Sequence, residues 1–359
     1  MSAPSVLPQP TPWRRVVVTS VLVAAIVSLV VIAFTWPSRA SSAHDISIAI
    51  AGPSAASNQL KSALTKGNDT FDVQLADTRA DAVRMLKERD VYGAVVLSSG
   101  SAPEVLTATA ASPAVAQVMN GVAAKLQAQA QAQGSAASAA GDAAAAPTVA
   151  VTDVVPLSDD DPTGSGLVAA AFPLVMGGML GGILLTFLVH GTGRRLVGLV
   201  AFVVIAGFAV AGILQGWLGI LQGHYLENAA AFALALSAIA GTILGASTLI
   251  GRLGVSVGPV LFLLFANPLA SAATPSSFLP APWGVIGQWF PPGAGARLLR
   301  DISYFPDANS TLQWLILVGW TAFGLALMGI GALVHEQRRR AHHGEHVARP
   351  EHAPDPLTV

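Results

Sequence analysis

The sequence predicts an α-helical polytopic membrane protein with six transmembrane helices and a small α/β extracytoplasmic domain between helices 1 and 2. Three observations carry this expectation. Of 359 residues, 53% are hydrophobic and only 11% charged, with a mean hydropathy of +0.59; an average soluble domain carries roughly 25% charged residues. Apolar segments at 16–36, 167–189, 196–221, 229–250, 255–273 and 312–334 come near the roughly 20 residues that cross about 30 Å of hydrocarbon. Between the first two, 38–164 has the interspersed charges and period-two alternation of a soluble fold.

The first apolar run follows a short Pro-rich segment ending at Arg14 and Arg15. A signal peptide is the competing reading, because small residues follow at Ala40–Ala43. The run is longer than the 7–15 residues or so of a signal core and reads as a retained span, so 1–37 is a cytoplasmic N-terminus plus helix 1. Within 38–164, alternation at Ile46, Ile48 and Ile50 and at Phe71, Val73 and Leu75 predicts strands. Helical spacings at Leu60 and Leu64 and at Val83 and Leu86 lie between and after them. A buried strand at 92–97, another near Val105, a long helix carrying Val115, Val118, Met119, Val122 and Leu126, and a return strand at 149–155 complete a β-α-β-α-β order with an appended unit. The Ala/Gln-rich stretch 127–147 reads as a linker, interrupted by Gly134, Gly141 and Pro147. Asp159, Asp160 and Asp161 lack the alternating ligand spacing of a calcium loop and read as solvated acids before a helix.

The remaining segments form a five-helix domain at 165–337, and 338–359 reads as a disordered cytoplasmic tail. No Lys, Arg, Asp or Glu sits mid-span, where each would cost about 2.5–3.5 kcal/mol on an insertion scale. Arg14, Arg15, Arg194, Arg195, Arg252 and Arg338–Arg340 all fall on one side if both termini are cytoplasmic, as the positive-inside rule requires. The expected location is the cell membrane, multi-pass. That parity requires 255–273 to cross once, with the broken segment 267–311 outside. Trp36, Trp217, Trp283, Trp289 and Trp314 then gather at the outer interface, where amphipathic rings settle. Gly177 and Gly181, Gly178 and Gly182, Gly212 and Gly216, and Gly241 and Gly245 repeat at i, i+4 and predict close helix approach.

Several chemistries are excluded or weakly supported. A net charge of −1 without basic patches gives no reason to expect nucleic acid. Cysteine is absent, which removes disulfides and thiolate chemistry. No phosphate-binding P-loop is present, so ATP hydrolysis by that route is not expected. Gly254-Val255-Ser256-Val257-Gly258 matches a hydrolase elbow in letters, but that motif needs a strand-turn-helix and here it opens an apolar segment. His335, His342, His343, His346 and His352 follow no metal-ligand spacing. No cofactor, metal or catalytic residue is expected.

The polar residues that remain are few. One span, a large external domain, five further spans and a broken external segment together resemble permeases of the ABC transporter type-2 superfamily. The likeness is greatest to the branch with a large first extracellular domain, the phage-infection-protein-like (Pip-like) membrane proteins. It rests on 45–53 (DISIAIAGP), 91–97 (VYGAVVL), Asn267-Pro268-Leu269, Leu279-Pro280, Trp283-Gly284, 290–295 (FPPGAG) and 297–305. The resemblance implies a homo- or heterodimeric permease in contact with membrane lipids, driven by a separate ATPase subunit and moving a lipophilic or amphipathic compound outward. Gln215, Asn267, Pro268, Trp289, Arg297, Arg300 and Asp301 are the candidates for the substrate path or outer gate, with Asp301 a local charge partner of the arginines. For Gln215 a substrate contact competes with interhelical glue, and glue is the favoured reading. Where family permeases usually carry a coupling helix, this chain has only 190–195 (HGTGRR), so His190, Arg194 and Arg195 are the candidates for ATPase coupling. A non-transporting surface protein, whose external domain binds a ligand or partner, is the alternative that so short a loop invites.

Overall fold

A computed structural model describes residues 12–67, 69–98, 101–139 and 148–347. The 140–147 part of the expected linker and the 348–359 part of the expected tail, with His352, lie outside the described residues.

The N-terminal helix α1 (Trp13–Ala40) leads into a mixed sheet. Strand β1 (Ile46–Ala51) coincides with the Ile alternation, and β2 (Phe71–Ala76) with Phe71, Val73 and Leu75. Strands β3 (Gly93–Val96), β4 (Glu104–Thr107) and β5 (Ala150–Asp153) complete the order β2-β1-β3-β4-β5, in which only β3 and β4 pair antiparallel. Helices α2 (Ser54–Thr65) and α3 (Arg79–Lys87) make two of the three crossovers that parallel pairing demands, and the helix between β4 and β5 makes the third. Helix α4 (Pro113–Ala139) runs through the first half of the Ala/Gln-rich stretch, consistent with the helix propensity of those residues. One face of the sheet buries Ile46, Ile48, Ile50 and Val95 against Val115, Met119 and Val122 of α4.

Among the described residues, five helices are long and apolar enough to cross a membrane, over Trp13–Pro37, Ser165–Leu188, Thr192–Trp217, Tyr225–Ser256 and Thr311–Gln337. They correspond to α1, α5 (Ser165–Leu188), α6 (Thr192–Ala211) with a π-helical extension Gly212–Trp217, α7 (Tyr225–Ile250) with a 3-10 turn Gly251–Ser256, and α10 (Thr311–Val347). Helix α10 runs through the first ten residues of the expected tail.

The expected apolar helix at 255–273 takes an irregular form and is not among those five. Gly251, at φ 70°, ends α7 and turns the chain back, a backbone conformation that glycine adopts without a Cβ clash. A 3-10 turn is then followed by a π-helix, Gly258–Ala266, that ends at Asn267-Pro268. The physical reason lies in what this segment touches. A Cβ at Gly254 would come within 2.3 Å of the Ala246 carbonyl carbon, and one at Gly258 within 2.5 Å of Ile243 Cδ1. The segment thus retraces α7, first against its backbone and then against the Ile243 side chain, and the glycines that permit the approach are poor formers of a regular α-helix.

Helix α7 is the axis of the bundle: 83% of its most apolar window is buried, against none for α1. Small residues make that possible. A Cβ at Gly245 would meet Gly324 O of α10 at 2.2 Å, and one at Gly182 of α5 would meet the Ala240 backbone at 3.0 Å. Gly212 and Gly216 have no such neighbour: the nearest atom to the former's Cβ position is Tyr225 Oη at 3.5 Å and the latter faces open space.

After the break, a short 3-10 turn Ser276–Phe278, helix α8 (Trp283–Gln288) and helix α9 (Pro291–Tyr304) fold back on the bundle. Pro291 and Pro292 occupy the first turn of α9, where their missing N–H groups cost nothing. Rings from four elements interlock along this segment: Trp36 against Trp283, Trp283 against Phe265, Phe265 against Phe290, and Phe290 against Trp320, with centroids 5.5–6.2 Å apart, the separation at which aromatic pairs attract beyond simple burial.

Candidate functional site

The broken segment meets the sheet domain at a cluster of three arginines and one carboxylate. Arg89 follows α3 in the left-handed region, at φ 63°, a conformation that costs a non-glycine residue roughly 1 kcal/mol or more. The unfavourable backbone aims its guanidinium at α9. There Nη1 donates to Asp301 Oδ1, both side chains more than nine-tenths buried. The guanidinium also lies 5.5 Å from the centre of the Phe305 ring, a favourable cation-π position. Arg297, one turn before Asp301, puts Nε 3.8 Å from Asp301 Oδ2.

Arg300 is buried and differs from its neighbours. Its Nη2 donates to Ala272 O at 2.9 Å, while its Nε has no partner. Burial first, and the nearby Arg89 charge second, push its pKa down to about 10, so it stays a cation at neutral pH. Arg89 Nε and Ser271 Oγ are also buried without a partner, and Ser271 holds a φ of 51°. Buried donors are nearly always paired; three orphans in one cluster are a marked departure. Arg89, Arg297, Arg300, Ser271 and Gln288 line a polar cavity. On the other side of Arg300 and Ala296 lies an apolar cavity, lined by Leu167, Leu174, Leu214, Phe232 and Leu299.

The sequence candidates separate into those this cluster includes and those it does not. Arg297, Arg300 and Asp301 are together, but the main partner of Asp301 is Arg89, 212 residues away in the chain. Asn267 and Pro268 are half-buried at the end of the π-helix, and their role is to turn the backbone toward Ala270, whose N–H donates to Asn267 O. Trp289 is 56% exposed and its carbonyl accepts from Trp320 Nε1 at 2.8 Å. Gln215 is glue: Nε2 donates to Gly223 O at 2.9 Å and Oε1 accepts from Asn228 Nδ2 at 3.0 Å. Asn228, fully buried, also accepts from Ser303 Oγ of α9. The triad Gln215-Asn228-Ser303 thus ties α9 to α7.

At the other end of the bundle, Arg195 Nε donates to Val189 O and Nη2 to Thr186 O, each at 2.8 Å. It closes the C-terminus of α5, where carbonyls lack intrahelical partners and a cation is favoured. His190 and Arg194 are exposed. Asp161, expected in solvent, is buried and accepts from Gly166 N and Leu167 N at the opposite end of α5. Sequence reasoning missed Arg89, Ser271, Gln288 and Asn228. Only Asn228 carried a signal, as an uncharged polar residue at the start of a long apolar run.

Residues 14–190, just under half of the chain, match the family model described as ABC-2 family transporter protein. The matched part holds the first helix, the sheet domain and α5. Together with the apolar helices, it supports a multi-pass membrane protein of the ABC-2 permease type, a membrane component of a transporter. No curated protein and no solved structure matches the chain.

Proposed function

We propose that this chain is the permease subunit of an ABC-type exporter, working as a dimer with a separate ATPase subunit to move a lipophilic or amphipathic compound out of the cell. The observation that carries the reading is the Arg89–Asp301 pair, which locks an external domain onto a broken segment covering the bundle. A domain held this way over a re-entrant element is suited to open and close an outer exit. In this reading both termini are cytoplasmic, and 251–273 makes a sixth, irregular crossing; contact of Gly254 with Ala246, then of Gly258 with Ile243, supports an antiparallel climb beside α7. Irregular backbone at membrane depth is tolerated where protein buries it, and α5, α7 and α10 flank this segment.

Purification of the intact protein in mild detergent tests the assembly: an ATPase should accompany it, and its consistent absence, with export unchanged in a deletion strain, would sink the proposal. The absence of native cysteine makes the topology equally testable. A cysteine placed at Arg297 should react with impermeant reagents from outside; labelling only from the cytoplasm refutes the arrangement.

One observation favours the second reading, a non-transporting surface protein. Arg195 is spent on the carbonyls of α5, which leaves His190 and Arg194 to engage an ATPase. If their alteration leaves ATPase association intact, the coupling role of this loop is lost.

A further inference from the structure

The three arginines and the two cavities that meet at Arg300 point to a ligand with both an anionic end and an apolar end. Among the described residues, Asp301 is the only carboxylate on the cluster, and it is shared by Arg89 and Arg297. Arg300 has a main-chain carbonyl as its hydrogen-bond partner and, among the described residues, no carboxylate within ion-pair distance. A buried cation left in this way is costly. The cost is relieved by an anion that can accept from Arg300 Nε, Arg89 Nε and Ser271 Oγ, the three buried groups without partners that belong to residues lining the polar cavity. Arg is well matched to such oxygens, because its planar fork of donors fits phosphate and carboxylate geometry.

The apolar cavity lies directly beyond. Its lining comes from α5, α7, α9 and the π-helical extension of α6, and Arg300 and Ala296 line both spaces. In this closed conformation each space has room for about one ordered water, so an acyl or alkyl chain enters only as α9 moves away from α5. Occupancy and opening are therefore coupled.

We infer that the junction between the sheet domain and α9 is a binding site for an anionic amphiphile, with its phosphate or carboxylate head on Arg89, Arg300 and Ser271 and its chain in the apolar cavity beside Leu174 and Leu299. As a statement about cargo this rests on the permease reading; as a statement about binding it does not.

The test is equilibrium binding of radiolabelled dodecyl phosphate to the full-length protein in dodecyl maltoside, so that a neutral amphiphile of the same chain is always in excess. Saturable binding is expected, with inorganic phosphate a poor competitor. Arg300→Gln should weaken it by roughly tenfold or more, the scale of one lost charge-assisted bond. Arg297→Gln, at a side chain 41% exposed, should fold normally and weaken it by a few-fold through loss of positive potential. Inorganic phosphate binding as tightly as dodecyl phosphate would make this a free-anion site and overturn the amphiphile. Saturable binding unaffected by Arg297→Gln and, where it folds, by Arg300→Gln would place the ligand elsewhere; the absence of saturable binding would overturn the site. The two readings fail separately: export that persists without dodecyl phosphate binding removes the site alone, and binding without export removes the permease alone.

Discussion

The two ends of the bundle both use arginine, and they use it differently. At the C-terminal end of α5, Arg195 gives Nε and Nη2 to the last carbonyls of that helix, with Nη1 3.4 Å from Thr248 Oγ1. All three guanidinium nitrogens have protein partners. At the end that meets the sheet domain, Arg89 and Arg300 are more deeply buried, yet each keeps an unpartnered Nε. A structural arginine is satisfied by its own fold. An arginine that remains unsatisfied after burial is one the fold holds ready for something else, because burial without compensation is expensive.

The sharpest way to break this contrast is at the Arg89–Asp301 ion pair. Asp301→Ala leaves Arg89 buried with no carboxylate, and removing one partner of such a pair costs about 3–5 kcal/mol. Unfolding of the purified protein in mixed micelles should show a loss of that size. Replacing both partners with apolar residues, as in Arg89→Met with Asp301→Leu, should recover most of it. A double variant as unstable as the single one would mean that the pair does not act as a unit.

The C-terminal end of α5 should respond less. Arg195→Met removes the charge-assisted bonds to Val189 O and Thr186 O and should cost about 1–3 kcal/mol, with dodecyl phosphate affinity unchanged. A fall in affinity with this variant would mean that the two ends are coupled and that Arg195 is not merely structural. The N-terminus of the same helix offers a milder comparison. Asp161→Ala removes the acceptor of Gly166 N and Leu167 N and should lower stability by about 0.5–2 kcal/mol, the usual worth of a helix cap; no measurable change would show that water takes over both donors.

What could be read from the sequence follows the same division. Long apolar runs are legible because hydrocarbon demands a fixed length, and five of the expected segments lie in helices suited to cross it. The form of the stretch after Gly251 is not legible, because apolar composition does not distinguish an α-helix from 3-10 and π-helical turns; the close contacts of Gly254 and Gly258 with α7 exist only in the fold. The charged site was half legible. Arg297, Arg300 and Asp301 stand out against apolar surroundings, whereas Arg89 sits in the run Lys87-Glu88-Arg89-Asp90 and looks like any solvated helix end. Only the tertiary approach of α3 to α9 turns it inward.

The smallest effect belongs to a third use of arginine, on the surface of the sheet domain. Arg79 Nε and Nη2 grip both oxygens of Glu104, at 2.7 and 2.8 Å, and Thr152 Oγ1 donates to the same carboxylate. The hydrogen bond from Arg79 is the main cause that holds the Glu104 carboxyl below its ordinary pKa, with the bond from Thr152 adding to it against partial burial. A carboxylate whose folded pKa is depressed contributes stability above its unfolded value, near 4.3, and loses that contribution as pH falls through the folded value. Half of the Arg79 side chain is exposed, so solvent screening limits the pair to about 0.2–1 kcal/mol. Arg79→Ala should therefore lower stability slightly at pH 7, and the gap from wild type should close on acidification through the carboxylate range. A gap that stays constant down to pH 3 would mean that Arg79 acts through its aliphatic stem against the sheet edge, and the surface pair would then resemble neither end of the bundle.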